Sequence, residues 1–398
     1  MDQLRISEHS MSAWQAYDEA FGFTPDPMIL RAGEIFLNGA SSAKALRHND
    51  FDVWSALREN VGGISDFFDF VVVRDKIPLI NYGDTFDRIE KGFQSLDTVL
   101  ADRVQSVEID YGVYNEVKAG AIENLARIDL QSVDNVVSVM HEVQMFRYDW
   151  QPSLEAHPQK PTVALEAAIQ KLSGLPQSHH DIARFLLGGF IFSGFAQASG
   201  SIHHVQPKRA RMFLGLTAAP EHAGNLGHGD EAAIFGAAKA KLDKSEAKTT
   251  WGEAAPPVLP YLLNLGGEPR SPRELLDRAL EFRESPDGKA FRAFAADLRK
   301  DGPRAGEAAV ISEERKREAA NLLRVAPDDG SSASLDIELS LTGPKGKGKL
   351  EVPSWLRFWW NDWIAFDGGL RKTLRRMWLA DGAYRGLDER LRRVWIAG

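Results

Sequence analysis

Apolar residues recur at three- and four-residue steps along much of this chain, and that spacing constrains its fold more than any other feature. Residues 53–71 carry one such stripe, made of Val53, Trp54, Leu57, Val61, Ile64, Phe68 and Val71. Residues 182–195 form an apolar run that Arg184 interrupts, and they contain Gly188, Gly189 and Gly194. Side chains three and four positions apart share one face of a helix, so the stripe predicts an amphipathic helix. The apolar run predicts a buried core helix in which the glycines permit close approach of neighbouring helices.

Strand patterns are fewer and short. Residues 28–37 and 76–80 are rich in apolar residues and predict a small early β element. Residues 335–352 begin with alternating apolar and polar residues and continue into a segment rich in Gly, Pro and Lys, which predicts a β-hairpin. The predicted class is therefore mainly α, or α+β at most. It has a helical core, the early β element and a C-terminal hairpin followed by Trp-rich helices.

Four regions follow from the composition along the chain. Residues 1–240 are predicted to form a helical N-terminal domain with minor β structure, and residues 241–325 a helical middle region. Residues 326–334, APDDGSSAS, are typical of a linker. Residues 335–398 then form a C-terminal module of the β-hairpin and the Trp/Arg-rich helices.

Charge and cysteine content limit the class of protein. The net charge is −8, which argues against non-specific coating of nucleic acid, because that binding requires clustered Lys and Arg. The chain has no cysteine, which excludes disulfides, thiolate metal ligands and a Cys nucleophile. The longest apolar run is too short for a membrane span, which needs about 20 residues. We therefore expect a soluble cytoplasmic protein without a transmembrane segment.

Two histidine pairs lie about one helix length apart. His179 and His180 precede Asp181, and His203 and His204 follow 20 or so residues later. One interpretation of the first segment is a helix start, with Ser178 at the N-cap and Asp181 three residues later. The other interpretation is a divalent metal site, since His nitrogen and Asp oxygen are good ligands.

The His180-Asp181 pair, with His157 upstream and Asp230 downstream, resembles the pattern of HD phosphohydrolases. That resemblance implies a metal-dependent hydrolase. The alternative function is therefore a metal-dependent phosphoester hydrolase or nuclease built on His179, His180, Asp181, His203 and His204. The sequence departs from the pattern because Pro158 follows His157 and because the pair lies at a predicted helix start. The capped helix start is favoured, so no cofactor is predicted and a divalent metal remains the alternative.

A short basic cluster follows the second histidine pair. It consists of Lys208, Arg209 and Arg211. Such clusters contact phosphate or nucleic acid, although three basic residues more often form a solvated face. Nucleic-acid contact through these residues is therefore kept as a second alternative function.

The C-terminal segment, residues 354–398, differs most from the rest of the chain. It holds six of the ten tryptophans, and its nine basic and five acidic residues give +4, which leaves −12 for the remainder. Trp355, Trp359 and Trp363 begin a helical stripe, and Arg371 and Arg375 lie on the opposite face. Core packing, a protein interface and a membrane-surface helix are all compatible with this pattern.

We interpret the whole as a binding or assembly protein without a recognisable catalytic motif. The chain has no phosphate-binding loop and no H-E-x-x-H zinc motif. Its expected partner is another protein or a second copy of the chain. The predicted partner interface comprises Trp355, Trp359, Trp363, Arg371, Arg375 and Trp378.

Overall fold

The computed structural model describes residues 23–40, 53–82, 100, 103–109, 111–128, 130, 162–199, 202–207, 209, 255–299, 303–325, 333–335, 350–352, 369–383 and 386–398. In this part of the chain the helices are α1 (Pro27–Leu37), α2 (Val53–Glu59), α3 (Val61–Val73), α4 (Tyr111–Ala126), α5 (Val163–Ser173), α6 (Gln177–Ser199), α7 (Val258–Asn264), α8 (Pro272–Glu284), α9 (Pro286–Arg299), α10 (Pro303–Val325), α11 (Leu370–Ala383) and α12 (Leu387–Ala397). The strands are β1 (Phe23–Pro25), β2 (Ile77–Tyr82), β3 (Val104–Ile109), β4 (Ile202–His204), β5 (Ala333–Leu335) and β6 (Leu350–Val352). The described residues are mostly helical, which confirms the mainly α class.

The described strands form three two-stranded sheets. β1 pairs with β4 in parallel, with Phe23 opposite Ile202. β2 pairs with β3, also in parallel, over six residues. Parallel neighbours need a long crossover between them, so each of these pairings joins segments that are distant in the sequence. β2 overlaps the strand predicted at residues 76–80 and begins one residue later.

The strand predicted at residues 28–37 is wrong, because these residues form α1. Asp26 is the N-cap, and its side chain accepts a hydrogen bond from the Met28 backbone N–H at 3.0 Å. Pro27 occupies the first helical position, where a missing N–H has no cost. Most residues of α1 are buried. Its two charged residues, Arg31 and Glu34, lie one turn apart and form an ion pair, a spacing that is typical of a helix and not of a strand.

The C-terminal strands β5 and β6 pair antiparallel, with Ala333 opposite Val352. Residues 336–349 lie outside the described residues, so the turn of the predicted hairpin stays a prediction. The same holds for the Trp-rich residues 354–368, which include Trp355, Trp359 and Trp363.

The chain divides into two compact units. Unit 1 comprises residues 1–248, 271–273 and 391–398, and unit 2 comprises residues 249–270 and 274–390. Unit 2 therefore contains residues from both the predicted middle region and the predicted C-terminal module. The predicted linker at 326–334 is described only at its last two residues, so the proposed boundaries stay predictions.

In the described residues of unit 1, two groups of helices form the core. α1 packs on α3, where Phe36, Phe67 and Phe68 are fully buried and meet edge to face. α6 packs on α4, and it contains the predicted buried run at 182–195. Gly194 permits this approach, because a Cβ there would lie 2.7 Å from the Val117 side chain.

The core of unit 2 forms around α11, which packs against α7, α9 and α10. Leu374 and Met377 are fully buried. Trp378 is 7% exposed and packs with Ala319 of α10. In the described part of the C-terminal segment, the aromatic and apolar stripe is therefore core packing.

None of the helices in the described ranges has both the length and the apolar character needed to cross a membrane.

Candidate functional site

A buried ion pair joins the N-cap residue of α1 to the segment after β4. Asp26 is fully buried and Arg209 is 3% exposed. The Arg209 guanidinium donates to Asp26 Oδ2. Removing two charges from water is expensive, so a pair of this kind depends on good geometry and further hydrogen bonds.

Gln206 supplies several of those further hydrogen bonds. Its backbone N–H donates to Asp26 Oδ2 at 3.2 Å, and its side-chain oxygen accepts from the Arg209 backbone N–H at 2.7 Å. Its amide nitrogen donates to Asn60 Oδ1 just before α3. These four residues form a buried network, called here the Asp26–Arg209 network, that ties the chain after β4 to the starts of α1 and α3.

The Arg209 side chain is enclosed by Phe185, Met28 and Gly188. Its guanidinium carbon is 4.7 Å from the centre of the Phe185 ring, and Nη2 is 2.9 Å from Met28 Sδ. Gly188 leaves room, because a Cβ there would lie 3.0 Å from Nη2. Both Phe185 and Gly188 belong to α6.

The predicted contact of Arg209 with phosphate or nucleic acid stays a prediction, although its guanidinium is enclosed by the protein and paired with Asp26. Lys208 and Arg211 lie outside the described residues. Their predicted contact with phosphate or nucleic acid therefore stays a prediction.

His203 lies beside this network. Its Nδ1 is 2.6 Å from Ser193 Oγ of α6. Its Nε2 is buried and meets no hydrogen-bonding partner among the described residues. Burial lowers the pKa of His203 from 6.5 to about 4, opposed by Asp26 and reinforced by Arg209. The ring is therefore neutral at neutral pH.

His204 points to a different neighbour. Its Nε2 is 3.6 Å from Asp66 Oδ2 of α3, and the Phe70 ring packs edge-on at 4.8 Å. The two adjacent histidines thus serve two different contacts, as expected for neighbouring residues of a strand, whose side chains alternate.

The first histidine segment lies in the opening turn of α6. The His179 backbone N–H donates to the Pro176 carbonyl at 2.8 Å, and the helix begins at Gln177. Ser178 is therefore inside the first turn, not at the predicted N-cap position. Asp181 lies 3.7 Å from Arg184 of the next turn.

The structure does not bring the two histidine pairs together. His203 contacts Ser193, which lies 13 residues after His180 on α6. At 1.5 Å per residue that is about 20 Å along the helix axis, too far for both pairs to bind one ion. Within the described residues, no group of three His, Asp or Glu side chains is placed to hold a metal. His157 and Asp230 lie outside those residues.

The predicted partner interface is only partly described. Arg371 is exposed and Arg375 is half-buried, while Trp378 belongs to the core of unit 2.

Searches against protein-family models, curated proteins and solved structures found no match for this chain. Its function is therefore inferred from its own residues.

The pH dependence of stability gives one test of the His203 environment. Because the folded-state pKa is lower than the unfolded one, the contribution of His203 to stability is complete above pH 6.5 and is lost as the pH falls towards 4. We expect about 2 to 3 kcal/mol of unfolding free energy to be lost across that window. Urea unfolding of His203→Asn should show a correspondingly weaker pH dependence, whereas His179→Asn should resemble the wild type. An unchanged pH dependence in His203→Asn would contradict this assignment.

Proposed function

We propose that this chain is a binding or assembly protein, and that a basic surface on α11 docks the acidic part of a second copy. The surface comprises Arg371, Lys372 and Arg375, and is called here the α11 basic face. Arg371 is exposed, and Lys372 and Arg375 are half-buried. The observation that carries the proposal is that these cations lie outward on a helix whose other face is buried.

The buried side of α11 holds this surface in place. Leu374 and Met377 are fully buried, and Thr373 is 1% exposed. A helix anchored by packing presents its outer side chains without first having to become ordered, which lowers the cost of binding. Arginine is also among the residues enriched in the energetically important part of protein interfaces.

Charge distribution supports a second copy as the partner. The C-terminal segment carries +4 and the remainder of the chain −12. Complementary charge steers association and selects the docked orientation. Glu318 of α10 lies 3.9 Å from Arg375, with the Arg375 side chain still 27% exposed, so the local acidic residue leaves part of the guanidinium accessible.

Trp378 is not part of this proposal. Its ring is buried, and the ammonium of Lys316 lies 4.9 Å from its centre. Trp355, Trp359 and Trp363 extend the proposed surface only as sequence-based predictions.

Charge reversal on the α11 basic face tests the proposal. The double variant Arg371→Glu with Lys372→Glu should weaken self-association of the full chain by about tenfold or more, because like charges then oppose the acidic partner surface. Sedimentation equilibrium over a concentration series measures this association constant.

Lys289→Glu is the control, and it is matched to the single variant Arg371→Glu, because each reverses one charge. Lys289 is also exposed, also in unit 2, and also in the first turn of its helix. Acidic residues in a first turn interact favourably with the helix dipole, so loss of helix stability would not explain a difference between the variants. Equal weakening by the control, or no weakening by the double variant, would refute the α11 basic face as the docking surface.

A further inference from the structure

Two helices of unit 1 each expose a large apolar side chain. Val163, the first residue of α5, is 84% exposed, and Ile396, in the last turn of α12, is 57% exposed. The described residues expose three large apolar side chains, and these are the two that lie in unit 1. Each has charged neighbours one turn away on its own helix, so charge and apolar surface occur together at both places.

The exposed side of α5 combines Val163 with an acidic residue. Glu166 and Ala167, three and four positions after Val163, are also exposed. Residues at this spacing are neighbours on one helix face, and these three are called here the α5 stripe. Leu165 and Leu172 on the other side of the helix are 1% exposed, so core packing holds the stripe in place.

The exposed side of α12 combines Ile396 with basic residues. Arg393 and Arg392, three and four positions before Ile396, are exposed, and the three residues are called here the α12 stripe. Leu391 is fully buried and Trp395 is 7% exposed, so this helix is anchored as well. The two stripes therefore carry the same spacing in opposite chain directions, with opposite charge.

We propose that the α12 stripe of one copy packs antiparallel on the α5 stripe of a second copy. In that direction Ile396 lies against Val163, and one turn further along Arg393 lies against Glu166. The remaining positions place the apolar stem of an arginine on the methyl group of an alanine, a common way for such stems to cover apolar surface. A parallel arrangement would separate the two apolar side chains by one turn.

A second copy of the chain is the partner that fits both stripes. Each stripe is exposed within the same compact unit, so the two do not cover each other within one chain. One helix pair is smaller than a stable interface, which buries about 1,200 Å² or more. A two-fold axis repeats the contact, because each copy then offers its α5 stripe to the other's α12 stripe.

This inference rests on the proposed self-association and adds a contact in unit 1 to the α11 basic face. Both contacts contain opposite charges, which orient the two copies as they meet. The variants that remove one contact leave the residues of the other unchanged, so each contact has its own test.

Exchange of the charge pair between two variants tests the contact by sedimentation equilibrium of the full chain. Glu166→Arg and Arg393→Glu should each weaken self-association about tenfold, because like charges then face each other. An equimolar mixture of the two variants should associate as tightly as the wild type. In a mixed dimer one contact is that of the wild type and the other has its charges exchanged, so both are complementary, and a general loss of stability would not produce this rescue.

Glu116→Arg is the matched control, because Glu116 is an exposed acidic residue of α4 in the same unit, and it should associate like the wild type. A mixture that associates no better than its components, or single variants that associate like the wild type, would overturn the contact. If either variant does not fold, Val163→Asp replaces it by placing a carboxylate against Ile396, and unchanged association then overturns the proposal.

The same measurements separate this contact from the proposed function. Association that survives both single variants but is lost on charge reversal of the α11 basic face overturns this contact alone. Association that is lost in both single variants and recovered in their mixture, but survives charge reversal on α11, supports this contact and refutes the α11 basic face. A wild-type chain that does not associate at any concentration overturns both.

Discussion

Asp26→Asn should destabilise unit 1 by about 3 to 5 kcal/mol, because it leaves the Arg209 guanidinium buried without its counter-charge. Asp26 is fully buried, and the Arg209 side chain is 4% exposed. Asn retains one side-chain oxygen, which can accept from the Met28 backbone N–H, so the helix cap of α1 is kept. Its amide nitrogen replaces Oδ2, so Arg209 and the Gln206 backbone N–H lose their acceptor together with the charge. Asp26→Ala removes the cap as well and should cost about 1 kcal/mol more.

Hydrogen exchange measures this loss of stability at the residues of unit 1 themselves. Amide protection in α1 and in residues 202–209 reports opening of unit 1 directly, even though the chain has two units. Asp181→Asn is the control, because Asp181 pairs with Arg184 at a partly exposed position, where such pairs contribute at most about 1 kcal/mol.

A double variant separates the charge effect from lost packing. Adding Arg209→Met to Asp26→Asn removes the unpaired cation and keeps an apolar side chain against Phe185. Replacing both partners of a buried pair is often close to neutral, so we expect most of the lost stability to return. If Asp26→Asn alone cost no more than Asp181→Asn, the Asp26–Arg209 network would not hold unit 1 together.

Trp395→Ala should have an effect of similar size, about 3 to 5 kcal/mol. Trp395 is 7% exposed and packs on Trp54 with 5.6 Å between ring centres. Its indole N–H donates to the Ile35 carbonyl at 3.4 Å. Truncation leaves a cavity between α2 and the C-terminus of the chain within unit 1.

The next residue provides a matched control for Trp395. Ile396 is 57% exposed, and truncation of an exposed side chain usually changes stability by no more than about 0.5 kcal/mol. In urea unfolding, Ile396→Ala should therefore have the same free energy of unfolding as the wild type, and that of Trp395→Ala should be clearly lower than both. Equal stability of the two variants would show that Trp395 is not part of the core.

Helical segments were the part of the fold that the sequence predicted best. The apolar run at 182–195 lies within α6, and most of the stripe at 53–71 is buried in α2 and α3. The spacing did not show that Asn60 separates those two helices. Asn60 is 1% exposed and bonds to Gln206, which is 146 positions away, so its role depends on a contact that no local pattern contains.

The wrong strand prediction at residues 28–37 has a different cause. Apolar residues dominate the segment, and the helical spacing of its two charged residues, Arg31 and Glu34, is a weak signal beside them. Asp26 and Pro27 nevertheless form a recognised helix-start signal, an N-cap residue followed by proline at the first position. Giving that signal more weight than the apolar run would have predicted α1.

The candidate site could not be predicted from local sequence. Asp26 and Arg209 are 183 positions apart and are brought together by the parallel pairing of β1 with β4. Sequence reasoning placed Arg209 on a basic surface because its neighbours Lys208 and Arg211 share its charge. The sequence predicts that Gly188 on α6 permits close approach of another helix, whereas its neighbour in the structure is the buried guanidinium of Arg209.

The molar mass of the wild-type chain at low and at high salt tests the proposed assembly most directly. Light scattering at about 50 mM and about 1 M salt compares conditions in which exposed charges interact and are screened. The proposal predicts a mass above the 44.2 kDa of one chain at low salt, falling to that of one chain at high salt. A mass of one chain under both conditions, at every protein concentration, would contradict charge-driven association of this protein with itself.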